Sequence, residues 1–341
     1  MLLNKPQIKQ SRNVSFGIFH SLLACFYWGI VFVIPDLLHS FQELDIVLAR
    51  YTTFGIFSLL SLLWKRQNIL KAIPLSIWKQ GIFWAFLVNI LYYLGIAYAI
   101  RCIGAAVTII IAGLAPIAVL FHSNIKKKEI SYTTLSLLSS IIFLGIVLTN
   151  ISKIQANVEI HLIKYFIGLV CVIIATGVWV SYIIYNYNFL SKNPDISPNL
   201  WGCILGLASL ILCLPLIILG DFLGITRITS TLLFHVPLSE KLLFITLCGV
   251  MGIFSSSLAI TSWNKASLHL SPSLLGALLI LEPVFGLCLS YFCKHTLPSY
   301  QEGLGIFLML GGSLTCLILF GKKTQQKQED PTEIMSSADP T

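Results

Sequence analysis

Glu282 and Pro283 stand side by side in an otherwise apolar stretch, LLGALLILEPVFGLCLSYF (Leu274–Phe292), and no Lys or Arg lies within ten residues of Glu282 on either side. A carboxylate in such a run can take up and release a proton or hold a cation. Pro283 has no backbone N–H, so the carbonyl of Leu279 loses its usual helical donor and is free for another partner. Glu282 falls about ten residues into its run, roughly 15 Å at 1.5 Å per residue, near the middle of a ~30 Å hydrocarbon core. There an acid costs on the order of 2.5–3.5 kcal/mol, so it belongs on the bundle interior or a wet cavity. It reads either as a substrate or proton-coupling group, or as a protonated acid bonded to a neighbouring helix beside a packing kink.

Arg50 is the second such residue, six residues into its own run and about 9 Å below the surface. Its planar fork suits a carboxylate or phosphate. The alternatives are snorkelling to the headgroups or pairing with Asp45 or Asp36. Aromatics form a third group. Tyr92, Tyr93 and Trp179 lie deep in their runs, where they can stack on a flat ring, hold a cation or simply pack. Tyr27, Trp28, Trp84, Tyr182 and Trp263 belong to the same set, and those near the ends of runs read as interface anchors. Asn89 and Ser255–Ser257 sit mid-run, where helix-to-helix glue is the default.

These positions have meaning only inside a membrane. The chain has 341 residues, of which 56% are hydrophobic and only 11% charged, with mean hydropathy +0.86. Soluble domains carry roughly 25% charged residues. The net charge of +8 is scattered between apolar runs and forms no basic patch interleaved with aromatics, which speaks against nucleic acid. Nine Cys and seven His show no metal-ligand spacing, so neither a metal nor a cofactor is expected. No nucleophile elbow, zinc-protease helix or phosphate loop is present, so no catalytic residue is assigned and enzymes are disfavoured.

Runs of about 20 apolar residues predict ten membrane spans, at 14–34, 44–64, 80–100, 102–124, 131–150, 164–185, 200–220, 241–263, 272–294 and 300–320. The first is too long for a signal-peptide core and reads as an uncleaved span. Residues 1–13 are expected as a cytoplasmic tail, 151–163 as a connecting loop and 321–341 as a disordered cytoplasmic tail. With the N-terminus inside, the inner segments hold 15 Lys and Arg and the outer loops 6, a bias that puts both termini in the cytoplasm. GCILG (Gly202–Gly206) has the spacing of a close helix contact, within the chain or in a homodimer.

IIIAGLAPIAVLF (Ile109–Phe121) is similar to LGALLILEPVFGL (Leu275–Leu287) when Pro116 is laid on Pro283. The two prolines fall five spans apart, so their copies cross in opposite directions. That is an inverted repeat, 14–150 against 164–320, with helix breaks at Pro116 and Pro283. The expected fold is therefore an all-α polytopic membrane protein of ten transmembrane helices in two inverted five-helix repeats.

At these residues the chain resembles the EamA-type branch of the drug/metabolite transporters. The resemblance rests on WGIVFVI (Trp28–Ile34), LARY (Leu48–Tyr51), APIAVL (Ala115–Leu120) and LEPVFG (Leu281–Gly286). It implies a secondary carrier of the bacterial inner membrane with a midplane site for a small polar molecule. The first two spans also resemble a branch that exchanges S-adenosylmethionine for S-adenosylhomocysteine. On that likeness, Arg50 would take a carboxylate, Glu282 a positive charge, and Trp28, Tyr92, Tyr93 and Trp179, with Asn89, would line the ring site. An amino-acid or drug exporter of the same fold is the nearest rival; an intramembrane enzyme and a scaffold are more distant. The exit YFCKHTLPS lacks the acidic residue common after this span in the family.

An even number of spans requires both ends on one side. Alkaline phosphatase fused after Thr341 is expected to be inactive, and strong activity would mean an odd number of spans.

Overall fold

A computed structural model describes residues 13–38, 40–64, 73–151, 162–230 and 236–329. Every regular element among them is helical. In chain order they are α1 (Val14–Gly29), running into a 3-10 turn (Ile30–Phe32), α2 (Ile34–Leu37) and α3 (Glu43–Trp64). Next come α4 (Leu75–Ala85), a π segment (Phe86–Leu91), α5 (Tyr92–Ile103), α6 (Ala105–Ala112), α7 (Ala115–Lys127) and α8 (Tyr132–Leu148). The remainder are α9 (Leu162–Lys192), α10 (Pro198–Phe222), α11 (Ile228–Ser230), α12 (Leu238–Val250), a second π segment (Met251–Leu258), α13 (Ala259–His269), α14 (Pro272–Leu279), α15 (Leu281–Lys294) and α16 (Tyr300–Glu329).

Polar residues start several helices. Asn13, Ser131, Ser197 and Ser271 accept from the backbone N–H three residues on, satisfying one of the orphan donors of each first turn. Pro198 and Pro272 follow two of these caps at the first helical position, where no partner is lost. The outer surface is as apolar as the interior: Phe19, Ile218 and Phe222 are all well exposed, as a lipid-facing surface requires.

Among the described residues nine helices are long and apolar enough to cross a membrane, whereas the expected fifth span is α8 at 17 residues, shorter than these. Most helices also outrun their apolar windows. α9 continues to Lys192 and the eighth span to His269, because hydropathy marks only the hydrocarbon-embedded part of a helix, not its polar ends. α16 likewise runs to Glu329, so the first residues of the expected C-terminal tail are helical. Residues 1–12, 152–161 and 330–341, on which the other tail and loop expectations largely fall, lie outside the described residues.

Four interruptions organise the bundle. Pro116 stands in the first turn of α7, just after α6 ends at Ala112 with Gly113 as its cap. Pro283 stands in the first turn of α15, just after α14 ends at Leu279 with Ile280 as its cap. First-turn N–H groups have no helical acceptor, so a proline there loses little. The separation of Pro116 from Pro283 is 167 residues, and the same offset carries α6 onto α14 and the left-handed Lys128 that ends α7 onto the left-handed His295 that ends α15. The other two interruptions are the π segments, one in the third span and one in the eighth.

Helices approach closely at glycines. Gly202 of GCILG faces Thr261 and Ile260, and Gly206 faces Ser58, so this motif is occupied within the chain and is not a free homodimer face. At the crossing of α8 and α16, a Cβ on Gly145 would lie 2.7 Å from the carbonyl oxygen of Gly305, and one on Gly305 would lie 2.6 Å from that of Gly145. Backbone cannot yield as a side chain can. Gly305→Ala should therefore destabilise the purified protein by about 1–3 kcal/mol. Gly311→Ala, where nothing lies within 4 Å, should be neutral or stabilising by up to ~1 kcal/mol. Equal melting temperatures for the two variants would mean that the crossing is looser than this.

Candidate functional site

The site grows from the π segment Met251–Leu258. Gly252 lets this segment press onto α3; a Cβ there would come within 2.7 Å of the Arg50 carbonyl oxygen. A π turn disturbs the regular pairing of carbonyls with N–H groups and recurs at functional sites. Here the carbonyl of Ser255 receives Nη2 of Arg50 at 2.9 Å, and Oγ of Ser256 receives Nε at 2.8 Å. Nη1 donates to the hydroxyl of Tyr93.

Arg50 is only 3% exposed, so it does not snorkel to the surface. Nor does it pair with Asp45, whose Oδ1 instead accepts the backbone N–H of Arg227 at 3.2 Å. The Asp36 side chain lies outside those described. The guanidinium carbon stands 5.0 Å from the ring centroid of Tyr51 and 5.2 Å from that of Tyr93, within cation–π range. Three of its five N–H donors are taken by these partners, and two remain for a ligand.

Arg50 and Glu282 line one cavity of about 190 Å³, together with Trp28, Asn89, Tyr92, Tyr93 and Trp179. The structure thus places all seven residues singled out for binding around a single space. Glu282 lies in the first turn of α15, where the positive end of the half-helix dipole favours a carboxylate. It is half-buried and makes no hydrogen bond or ion pair to the described residues. A basic and an acidic side chain thus share a cavity without forming an ion pair.

The wall is a run of aromatic contacts. Tyr51 meets Tyr93 edge-on at 5.6 Å and Tyr93 meets Tyr92 at 5.4 Å. Tyr92 lies 5.7 Å from Trp179, and Trp179 meets Trp28 at 5.5 Å. Asn89, in the first π segment, donates to Oγ of Ser209 at 2.7 Å, and Ser209 donates to the carbonyl of Leu205 at 2.8 Å. Pro116 and its break do not reach this cavity; Ile146 fills the space beside Gly113.

Four polar lining residues are not among those the sequence singles out for binding: Tyr51, Tyr182, Ser255 and Ser256. Tyr182 follows Trp179 by three residues, a spacing that shares a helix face, but reads as an end residue if the span stops at 185. Trp84 and Trp263, candidates for interface anchors, are instead buried in the core, because their helices continue past the expected ends.

A second cavity of about 370 Å³ adjoins the first, and Tyr93 lines both. Gln42, Glu43 and Arg101 line its mouth. On the other side of the central cavity the bundle is filled. Asn186 Oδ1 accepts Nε1 of Trp201 at 2.8 Å, Phe189 packs 4.2 Å from Trp201, and Tyr185 donates to Gln80. Among the described residues no cluster of three metal-ligating side chains occurs.

Fold and site together describe a polytopic helical membrane protein with a charged, aromatic-walled cavity inside its bundle. The family described as "EamA-like transporter family" matches residues 15–151. The chain is 25% identical over 303 residues to "Inner membrane protein YtfF" of Escherichia coli (strain K12), covering 87% of this chain and 93% of that protein. A solved structure described as "Crystal structure of protein" superposes with a TM-score of 0.67 at 17% identity, covering 91% of this chain and 99% of that one. The last likeness concerns the fold alone.

Arg50→Lys keeps the charge but cannot reproduce three directed contacts. Each lost hydrogen bond to a buried charge is worth about 1.5–3 kcal/mol, so the purified variant should melt several degrees lower. An unchanged melting temperature would mean that these contacts are not made.

Proposed function

We propose that the chain is a secondary carrier of the EamA-like type, which moves a small metabolite bearing both a carboxylate and a positive charge across the bacterial inner membrane by alternating access. The observation that carries this reading is the pair Arg50 and Glu282, opposite charges lining one cavity without pairing to each other. A zwitterion supplies both missing partners at once: its carboxylate meets the free N–H groups of Arg50, and its cation meets Glu282. No catalytic constellation accompanies them, and a carrier needs none.

Ten spans in two inverted five-helix repeats, with both termini cytoplasmic, belong to the same proposal. The 167-residue offset supports it, as do the π segments in the third and eighth spans and the broken fourth and ninth. The packing is paired in the same way: α1 lies on α13 as α9 lies on α5, while α3 lies on α10 and α8 on α16. Such pairing is what a pseudo-two-fold axis in the membrane plane produces.

For the substrate, S-adenosylmethionine, exchanged for S-adenosylhomocysteine, matches the charges and the aromatic wall of the cavity. Its carboxylate suits Arg50, its sulfonium Glu282 and its adenine the aromatic wall of Tyr92, Trp179 and Trp28. A second reading has its own support. The cavity of about 190 Å³ is below the roughly 300–1,000 Å³ of ordinary ligand clefts, so a plain amino acid fits this conformation, whereas an adenosyl compound requires further opening. An amino-acid exporter is therefore the alternative.

Uptake of radiolabelled S-adenosylmethionine, competed with amino acids, nucleosides and other sulfonium compounds, separates the two. Glu282→Gln keeps size and hydrogen bonding but removes the charge; Glu282→Asp keeps the charge and retracts it by one methylene. Activity should fall in the order Glu, Asp, Gln, with at least a tenfold loss for Gln at normal expression. A fully active Gln variant would refute the role of Glu282.

A further inference from the structure

The ends of α7 and α14 meet in a buried polar cluster outside the central cavity. Ser273, the second residue of α14, donates to Oε2 of Glu129, and its Oγ lies 2.6 Å from Oγ of Ser123 in α7. Glu129, Ser123 and Ser273 are all buried. The loop that carries Glu129 is itself pinned. Lys128 turns it through the left-handed region, and the Asn124 side chain donates to the carbonyl of Ile130 and accepts from its N–H, both at 3.0 Å. One turn further along α14, Gly276 rests against Val119 and Leu120.

Both α7 and α14 are halves of broken helices, and the other half of the second, α15, carries Glu282. Movement at the breaks must therefore separate α7 from α14 or carry them together. The cluster lies at one identifiable end of the bundle. α13 leads directly into Ser271, and Asn264 of α13 donates to the carbonyl of Pro198, where α10 begins, at 3.1 Å. This is the filled end, with Trp201 and Asn186; the mouth lined by Glu43 and Arg101 lies at the other.

The 167-residue offset gives the counterparts at that other end. Glu129 maps to Thr296, Ser273 to Ala106 and Ser123 to Ser290, although the left-handed turn is kept at His295. The acid and its donor thus have no counterpart at the repeat-related positions.

We infer that Glu129, Ser273 and Ser123 form a one-sided latch, which holds the cavity shut at the end where α10 begins and makes the resting protein open at the opposite end. The latch rests on the alternating-access reading but does not depend on the substrate. A symmetric pair of repeats would open equally at either end; a polar tie between α7 and α14 that the repeat-related contact of α15 and α6 lacks removes that equality.

Hydrogen–deuterium exchange of the full-length protein in lipid nanodiscs, without any ligand, tests it. Glu129→Gln and Ser273→Ala should each speed exchange about tenfold in peptides covering 120–130 and 271–279, since local opening must break the tie. Peptides of α3 and α10 should keep wild-type rates. A Ser123→Cys, Ser273→Cys pair joined by mild oxidation should slow exchange in the same peptides, and dithiothreitol should reverse it. Wild-type rates in the single variants, or faster exchange spread over the whole chain, would overturn the latch. Should Glu129→Gln fail to fold, Ser273→Ala alone decides. Lack of uptake by the wild-type protein would count against the carrier, whatever the exchange data show.

Discussion

In hydrocarbon a backbone has no water to fall back on, so each N–H and C=O must find its partner inside the protein. An unbroken helix meets that demand automatically, and most of this chain does so. Among the described residues it departs at the 3-10 turn after α1 and at Pro215 inside α10, and at four further places, the two π segments and the breaks before α7 and α15. Three of these four places supply residues to the central cavity: Asn89 from the first π segment, Ser255 and Ser256 from the second, and Glu282 from α15. Backbone that is not fully occupied by its own helix is concentrated where a polar guest would be held. The fourth departure, at Gly113, is packed by Ile146 and lends the cavity nothing.

Arg50 depends directly on this arrangement. A guanidinium buried in a membrane must be bonded on several sides to be tolerated. A standard helix opposite would present only side chains. The second π segment presents a carbonyl and a hydroxyl in adjacent positions, and Gly252 allows it to come close enough. The two tyrosines then complete the surroundings, one by its hydroxyl and both by their faces. Fixing Arg50 in this way also fixes which of its donors remain open to the cavity.

The polar residues of the cavity were legible because each is an exception in its run. Glu282, Arg50 and Asn89 are conspicuous by type, and the break at Pro283 by chemistry. The π segments were not legible, since FLVNIL and MGIFSSSL have the composition of ordinary apolar helix. Nothing local distinguishes an i→i+5 turn from its neighbours; contact with α3 and α10 does. Tyr51 and Tyr182 were hidden for a different reason. Their neighbours Arg50 and Trp179 drew the reading, and helix ends set by hydropathy alone put Tyr182 too near a surface. Trp84 and Trp263 were misplaced by the same shortening. The latch was invisible as well, because Glu129 and Ser273 are 144 residues apart and each looks like an ordinary polar residue at a span end.

The shortness of α8 has a consequence for the lipid around it. Seventeen residues make a rod about 25 Å long, several ångströms less than a typical ~30 Å hydrocarbon layer. Its backbone contact with α16 through Gly145 and Gly305 prevents it from sliding to a better depth on its own. On the ten-span proposal, in which α8 crosses the membrane, the mismatch falls on the lipid along this edge of the bundle, and local thinning is one way to meet it. On that proposal acyl-chain length becomes a variable of the protein itself: thin bilayers suit α8, and thick ones load the α8–α16 pair.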